Sequence, residues 1–457
     1  MATSETYRQV GEAAWGWVLD QVREDDGPWL PETVPADGRE AVPAKDRDSL
    51  YSGIAGLAPV LAEIAQHRGL SGRERALADG IVARLSAEAG RRVEPSLYDG
   101  LAGDATALRL LAPGSESVAL RRLDDLTTPD GWRTTLGFEP GSDTPLNDVV
   151  MGAAGIVMTA VWAGGEFADA IATAGGEALL HTADRTDAGL DWGIAPSTAS
   201  RAPNYSHGTA GVAAALAVAG TALGRADFVE AAVAGARHVL SVGLLDDDGF
   251  VVPHTIPPSK REVEPITYTW CHGPAGTSHL FAALSLAGVA EVSGIRVEDL
   301  RRRCLTSLLT SGVPERLRPG FWDNDGRCCG TAGVGDVLLD AAQDQPGTEF
   351  SETLLEGART MGDALVERAV RDASGARWRF VEYRDEEPLL PPGTAWMQGA
   401  SGIAAYLLRL ARSVETGPGA TVVDRPDQWW AVPAGVRLAS ARSARPVGTA
   451  APDSLRT

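Results

Sequence analysis

A glycine unit, Gly-x-x-Gly, recurs seven times along this chain of 457 residues, and each copy opens a segment rich in Ala, Leu and Val. This repeat constrains the fold more than any other feature, because every copy has to contribute the same structural unit. Successive copies lie 47 to 69 residues apart, which suits a helical hairpin with loops of variable length better than a shorter, more regular strand repeat. The first glycines of the seven copies are Gly53, Gly100, Gly152, Gly208, Gly273, Gly330 and Gly399.

Two helical patterns alternate between the first two copies. Both place apolar residues three and four positions apart, which is the spacing of one helix face. The second pattern lies in a segment whose other positions are charged, so we expect an apolar inner helix followed by an amphipathic outer helix. The two faces are Leu57, Val60, Leu61, Ile64 and Ala65, and then Leu77, Ile81, Val82 and Leu85.

Seven hairpins in a row can form an open superhelix or a closed ring. A ring leaves no terminal hairpin with an uncovered apolar face, and it gathers the seven glycine units at one rim. Glycines there would allow backbones to approach closely and would adopt positive φ where needed. We therefore predict an all-α fold, an α/α toroid in which seven helical hairpins form a double ring. We expect the toroid to span 48–412, after an N-terminal helix (Ala13 to Val22) and connector in 1–47 and before a loose tail in 413–457.

Three of the four cysteines stand beside glycine units of neighbouring repeats. Cys271 lies two residues before Gly273, while Cys328 and Cys329 directly precede Gly330, so a ring would bring the three sulfurs together. Thiolates are soft ligands suited to zinc, and three protein ligands with an open fourth position are typical of a catalytic zinc site. The alternative is that they are buried small apolar residues, the interpretation that we favour for Cys304.

Two further residues reach the same rim. His207 directly precedes Gly208, and its side chain, with a pKa near neutrality, would suit a general acid or base. A fourth metal ligand or a helix cap are the other interpretations of His207. Asp148, four residues before Gly152, is either part of the site or a helix or turn cap. His272 would support the metal ligands or line the substrate site, and a direct ligand role is the alternative.

Composition excludes several classes of partner. With 41 basic and 61 acidic residues the net charge is −20, which argues against nucleic acid and anionic membranes. The sequence contains no run of about 18 apolar residues, so we expect no membrane span. Residues 1–6 do not resemble the start of a signal peptide. Four cysteines, two of them adjacent, fit a reduced, cytoplasmic, metal-binding protein better than a disulfide framework.

These features together resemble the lanthipeptide cyclases, or LanC-like proteins, over roughly 48–412. Besides the seven glycine units, the resemblance lies in Asp148-Val-Val-Met-Gly152, His207-Gly-Thr-Ala-Gly211, Trp270-Cys271-His272-Gly273 and Cys328-Cys329-Gly330. The family implies a double ring of seven hairpins with one zinc ion at the rim. Its enzymes add a peptide cysteine thiol to dehydroalanine or dehydrobutyrine, which closes lanthionine or methyllanthionine rings in a ribosomal peptide.

The resemblance assigns a role to each site residue. Cys271, Cys328 and Cys329 would hold Zn²⁺, His207 would deprotonate the thiol or protonate the enolate, and Asp148 would lie near it. Many family members have Cys-His-Gly at the third ligand, whereas this chain has sulfur there, as some members do. The substrate would be a dehydrated precursor peptide, and a separate dehydratase would supply it.

Two other functions remain open from the residues. One is another zinc enzyme that activates thiols, such as a glutathione-adding or prenyltransferase-like transferase, although the latter would be expected to use Asp, Cys and His ligands. The other is a non-catalytic helical scaffold that binds peptides and keeps zinc for structure. The scaffold predicts that Cys271→Ala unfolds the protein, whereas the enzyme predicts a folded but inactive variant.

Overall fold

A computed structural model describes residues 1–35, 42–134, 144–196, 198–258, 265–315, 324–381, 389–417 and 420–428. These residues form fourteen α-helices. In chain order the helices are α1 (Ser4–Gln21), α2 (Leu57–His67), α3 (Gly72–Glu88), α4 (Leu101–Leu111), α5 (Ser117–Asp125), α6 (Ala153–Ala163), α7 (Ala168–His181), α8 (Thr209–Leu223), α9 (Ala226–Val242), α10 (Pro274–Leu286), α11 (Val297–Thr310), α12 (Thr331–Asp344), α13 (Glu349–Arg368) and α14 (Ala400–Thr416).

The helices form two concentric rings. The inner ring consists of α2, α4, α6, α8, α10, α12 and α14, and it closes because α14 packs against α2. Each inner helix begins at a glycine unit, and the other seven helices pack outside. The predicted α/α toroid of seven hairpins is confirmed.

The inner helices form the core of the protein. The helix α8 shows this most clearly, since its residues from Thr209 to Gly220 are all buried. Burial on every side explains why α8 lacks the polar face of an outer helix. Within the described ranges, no helix combines the length and the apolarity that crossing a lipid bilayer requires.

The seventh outer helix comes from the other end of the chain. No helix among the described residues follows α14, and α1 packs along it, with Gly11 against Leu408. The Tyr7 hydroxyl also donates to Asp363 Oδ1 of α13 at 2.6 Å. The expected helix of Ala13 to Val22 therefore begins too late, since α1 starts at Ser4, and α1 packs as part of the toroid rather than ahead of it. The physical reason is that α1 packs against α14, a contact between residues far apart in the sequence that no local pattern shows.

Short antiparallel strand pairs lie in the loops between helices and contribute no sheet to the core. Each pair is a local hairpin, so these strands shape loops at the toroid ends. The pairs are β1 (Arg133–Thr134) with β2 (Thr144–Pro145), β3 (Asp184–Arg185) with β4 (Leu190–Asp191), β5 (Leu244–Leu245) with β6 (Phe250–Val251), β7 (Glu291–Val292) with β8 (Ile295–Arg296), β9 (Val370–Asp372) with β10 (Gly375–Arg377), and β11 (Arg379–Val381) with β12 (Leu389–Pro392).

A closed circuit of backbone hydrogen bonds joins the seven glycine units at one rim. Each unit donates one amide to the next around the ring, at N···O distances of 2.8 to 3.3 Å. We call this set the rim circuit. Its bonds run from Tyr51 N to Tyr98 O, Tyr98 N to Val150 O, Val149 N to Ser206 O, Ser206 N to Cys271 O, Cys271 N to Cys328 O, Cys328 N to Met397 O, and Met397 N to Tyr51 O.

Close approach accounts for the glycines. A Cβ on Gly208 would lie 1.4 Å from the carbonyl oxygen of Ala202, and one on Gly211 would lie 1.9 Å from that of Tyr205. The expected positive φ is not observed at the first glycines of the units, whose φ values lie between −98° and −157°. These positions are glycine because the preceding loop folds back onto the start of the helix and leaves no room for a Cβ atom.

The end of the described chain packs inside the toroid. The helix α14 runs to Thr416, and residues 420–428 then contact the inner helices, where the Ala420 carbonyl accepts from Gln343 Nε2 at 3.1 Å. Arg425 and Asp427 are buried there. This stretch differs from the loose tail expected from residue 413 onward, because ion pairs bury its polar side chains. The rest of that expected tail, 429–457, lies outside the described residues.

Candidate metal centre

Three sulfur atoms lie together at the rim. Cys271 Sγ is 3.4 Å and Cys328 Sγ is 3.3 Å from Cys329 Sγ, and all three lie within 4.8 Å of one another. Register in the repeat explains the cluster, since Cys271 and Cys328 occupy equivalent positions that the rim circuit bonds directly. The side chains are buried, with relative exposures of 1%, 6% and 3% for Cys271, Cys328 and Cys329.

The donor set fits a zinc ion. Zinc holds thiolates at about 2.3 Å, so tetrahedral sulfurs lie about 3.8 Å apart. The observed distances of 3.3 and 3.4 Å need only a small outward movement to match. They are also far longer than a disulfide bond of about 2.05 Å, and all four cysteines are free. Cys304 is buried in α11, away from this cluster, as its apolar interpretation requires.

Three other side chains contact the sulfurs. Thr269 Oγ1 is 3.3 Å from Cys271 Sγ, and Gln398 Nε2 donates to Cys329 Sγ at 3.9 Å. The Tyr51 side chain lies near Cys328 and acts to lower its pKa. Such contacts orient metal ligands and disperse thiolate charge.

The three thiols differ in acidity. Hydrogen bonds from Cys271 and Cys329, followed by that from Tyr51, hold the pKa of Cys328 well below its usual value. Burial raises the pKa of Cys271 and Cys329 well above theirs. Cys328 is therefore the most acidic of the three thiols.

His207 and Asp148 form a pair beside the sulfurs. His207 Nδ1 lies 2.5 Å from Asp148 Oδ2, and Asp148 Oδ1 accepts from the Met151 amide at 2.8 Å. Asp148 is fully buried, whereas 25% of the His207 side chain is exposed. Burial acts to lower the pKa of His207, but the hydrogen bond and charge of Asp148, with the charge of Cys328, raise it above its usual value.

The pair has a defined chemical consequence. Because Asp148 holds the proton on Nδ1, Nε2 is the ring atom of His207 that can exchange a proton with a substrate. Asp148 also fits the alternative of a turn cap, since its other oxygen accepts from the Met151 amide.

Two more histidines adjoin this pair. The His272 ring lies 5.6 Å from that of His207 and 3.9 Å from that of His254. Burial, followed by the charges of His254 and His207, lowers the pKa of His272 well below its usual value, so His272 is neutral near pH 7. His254 comes from the loop after β6, and no sequence pattern singles it out.

Sequence reasoning missed Tyr51 and Gln398. They stand two residues and one residue before the first glycine of repeats one and seven, so they share the register of Cys328 and Cys329. The signal was present, but only closure of the ring makes the first and last repeats neighbours. The rim circuit supplies that closure through the bond from Met397 N to Tyr51 O.

Comparisons with known proteins support the fold. A family model described as "Lanthionine synthetase C-like protein" matches residues 44–417. Nisin cyclase superposes with a TM-score of 0.57 and 18% identity, covering 87% of this chain and 93% of its own. At that identity the likeness shows a shared fold. No curated protein matches the sequence.

A second solved structure covers the chain with a weaker fit. Unsaturated glucuronyl hydrolase from Streptococcus agalactiae has a TM-score of 0.45 and 12% identity, covering 90% of this chain and 92% of its own. A TM-score this low supports no inference about the chemistry of this protein.

Proposed function

Because the chain belongs to the lanthionine synthetase C-like family and is a lanthipeptide cyclase, we propose that it closes thioether rings through a zinc-dependent addition of cysteine thiols. The acceptors would be dehydroalanine and dehydrobutyrine side chains of a dehydrated precursor peptide. The observation that carries the zinc dependence is the cluster of three sulfurs beside the His207–Asp148 pair. A dehydratase acting earlier would supply the substrate.

Cys271, Cys328 and Cys329 would hold the zinc ion. With its fourth position open, zinc would supply a Lewis acid that lowers the pKa of a substrate thiol from about 8.5, so that the thiolate forms near neutral pH. Tyr51, Thr269 and Gln398 would orient the three ligands through their contacts with sulfur.

His207 would move the proton. As the substrate sulfur bonds to the β carbon, the carbon–carbon π bond breaks and its electrons pass to the carbonyl as an enolate. His207 Nε2 would take the proton released by the thiol and return it to the α carbon, so that no atom is gained or lost. Asp148 would keep Nδ1 protonated and would stabilise the charged ring during this transfer.

The rival functions fit the site less well. Structural zinc sites are closed by four protein ligands. The cluster that the described residues form has three members. A prenyltransferase-like enzyme would be expected to use Asp, Cys and His ligands, whereas the donors here are all sulfur. The free thiols further favour a reducing compartment, and we place the protein in the cytoplasm.

The variant Cys271→Ala tests this function. The rim circuit engages only backbone atoms of Cys271, so we expect the variant to fold and melt within a few degrees of wild type, but to lose zinc and ring closure. Zinc content per chain, a thermal melt, and mass spectrometry of thiols alkylated after reaction with a dehydrated peptide would measure this.

Cys304→Ala is the matched control, because Cys304 is equally buried but remote from the rim. It should keep both zinc and activity. An unfolded Cys271→Ala would favour the structural-zinc scaffold, and wild-type protein without zinc-dependent activity would refute the proposal.

A further inference from the structure

The residues 420–428, here called the C-terminal segment, run into the bore of the toroid towards the rim. The Thr421 carbonyl accepts from Arg412 Nε of α14 at 3.0 Å. Further along, the Tyr205 hydroxyl donates to the Asp427 carbonyl at 3.4 Å, and the Tyr98 hydroxyl donates to Asp427 Oδ2 at 3.4 Å. Tyr98 is a member of the rim circuit, so Asp427 lies just inside the rim.

The end of the C-terminal segment, 425–428, is buried, whereas Thr421 and Asp424 are exposed. A cavity of about 10 Å³ lies between Arg425–Asp427 and the helices α2 and α4. That is room for about one water molecule. Arg425, Asp427 and Gln428 are thus buried among the inner helices as part of the fold.

Buried ion pairs connect this segment to the loop that carries two of the cysteines. Asp427 accepts from Arg327 Nη2 at 3.0 Å and from Arg425 Nε at 3.2 Å. Arg425 also reaches Asp336 of α12 at 3.1 Å, and Arg327 pairs with the same carboxylate. Both guanidinium groups lie over the Trp396 ring, at 4.8 Å for Arg327 and 5.6 Å for Arg425.

Arg327 connects these ion pairs to the loop that carries Cys328 and Cys329. It directly precedes Cys328, and its side chain points into the bore, whereas the sulfurs of Cys328 and Cys329 belong to the cluster. Arg409 joins this network through Asp336 and Asp340, so three arginines face three aspartates. Without the Asp427 carboxylate, Arg327 and Arg425 would compete with Arg409 for Asp336, and a buried charge without full compensation forces local rearrangement.

We propose that Asp427 is a positioning residue of the metal centre. The C-terminal segment serves as an axial strut that, through Arg327, sets the positions of Cys328 and Cys329 relative to Cys271. This inference rests on the proposed metal site, but it concerns a part of the chain that no repeat contains. It predicts that a change at Asp427 alters the ligand geometry without touching a ligand.

The test uses the full chain with Asp427→Asn, which keeps the size and removes the charge. In protein loaded with Co²⁺ in place of zinc, we expect the visible absorption bands to shift in energy or intensity. In a chelator competition, we expect zinc affinity to fall about 10- to 100-fold, as when other groups that orient metal ligands are removed.

Glu74→Gln is the matched control. Glu74 is equally buried and ion-paired, but to Arg68 near α1 and α3, far from the bore. It should lower the melting temperature and leave the Co²⁺ spectrum unchanged. A normal spectrum and normal zinc affinity in Asp427→Asn would overturn the inference, since a purely structural role moves only the melt.

Tyr98→Phe covers the case in which Asp427→Asn does not fold. It removes one hydrogen bond to Asp427 and should change the Co²⁺ spectrum in the same direction by less. An unchanged spectrum in this variant would also count against the strut. Wild-type protein that binds neither Co²⁺ nor zinc would instead refute the metal centre itself, so the two failures are distinguishable.

Discussion

The Nδ1 atom of His207 lies 2.5 Å from Oδ2 of Asp148, although 59 residues separate them along the chain. The two residues belong to adjacent glycine units, which the bond from Val149 N to Ser206 O holds together at the rim. The repeat therefore delivers both partners to one place, and the open edge of the imidazole is left for chemistry.

Removing the charge of Asp148 should shift the pH profile of ring closure. The Asp148 carboxylate favours protonated His207, so its removal in Asp148→Asn lowers the pKa of His207. We expect the limb of the profile that belongs to His207 to move to lower pH, and kcat to fall about 100-fold. Rates of thiol consumption across pH would measure both effects.

His207→Gln is the companion variant, which should abolish that limb altogether. If Asp148→Asn left the profile of the wild type in place, Asp148 would be a cap for the Met151 turn and nothing more.

Replacing Cys329 by histidine should slow ring closure and leave zinc bound. A third thiolate gives the metal more negative charge than imidazole does, which should make the substrate thiolate more nucleophilic. Cys329→His keeps three ligands, so zinc content should stay near one per chain. Single-turnover rates of the two proteins, each at full zinc occupancy, would decide, and a faster variant would contradict the idea.

Adding one methyl group at Gly208 should disrupt the fold. Its Cβ would overlap the Ala202 carbonyl, and backbone atoms cannot move aside as a flexible side chain can. We expect Gly208→Ala to lose at least about 3 kcal/mol of stability or to be insoluble. Denaturant unfolding would measure this.

Gly16→Ala is the control for this prediction, because a Cβ at Gly16 in α1 meets nothing within 4 Å. Alanine is favoured over glycine within helices, so Gly16→Ala should be stabilising by up to about 1 kcal/mol. Equal effects of the two substitutions would refute close approach as the reason for Gly208.

Deleting residues 1–21 should expose the outer face of α14. The apolar face of α1, with Tyr7, Val10 and Ala14, is buried there, and no other described helix covers the same position. We expect the shortened chain to aggregate or to melt at a much lower temperature. Restoration of a cooperative melt by a separate peptide of residues 1–21 would show that α1 acts as the missing outer helix.

The repeat made most of the fold and much of the candidate site predictable. Counting residues back from each glycine placed Cys271 and Cys328 in one register, and a closed ring then required their sulfurs to meet. His207 followed from the same count. None of these steps needs more than the helical period and the assumption of closure.

Contacts between distant ends of the chain could not be read in this way. The pairing of α1 with α14 joins the two ends, and no local pattern encodes it. The C-terminal segment carries charged residues, and the burial of Arg425 and Asp427 depends on ion pairs that they form with each other and with Arg327. A prediction from hydropathy places charged residues on the surface, so the sequence of this segment resembles that of a disordered tail.

The rim circuit has a wider consequence for how such a protein can change. Its bonds join main-chain atoms only, so the hydrogen bonds between glycine units do not depend on which reactive side chains the rim displays. Substitutions at the displayed positions are therefore free to exchange one reactive group for another while the scaffold persists. Architecture and reactivity can evolve almost independently in this molecule, and new activities could be installed on it by design.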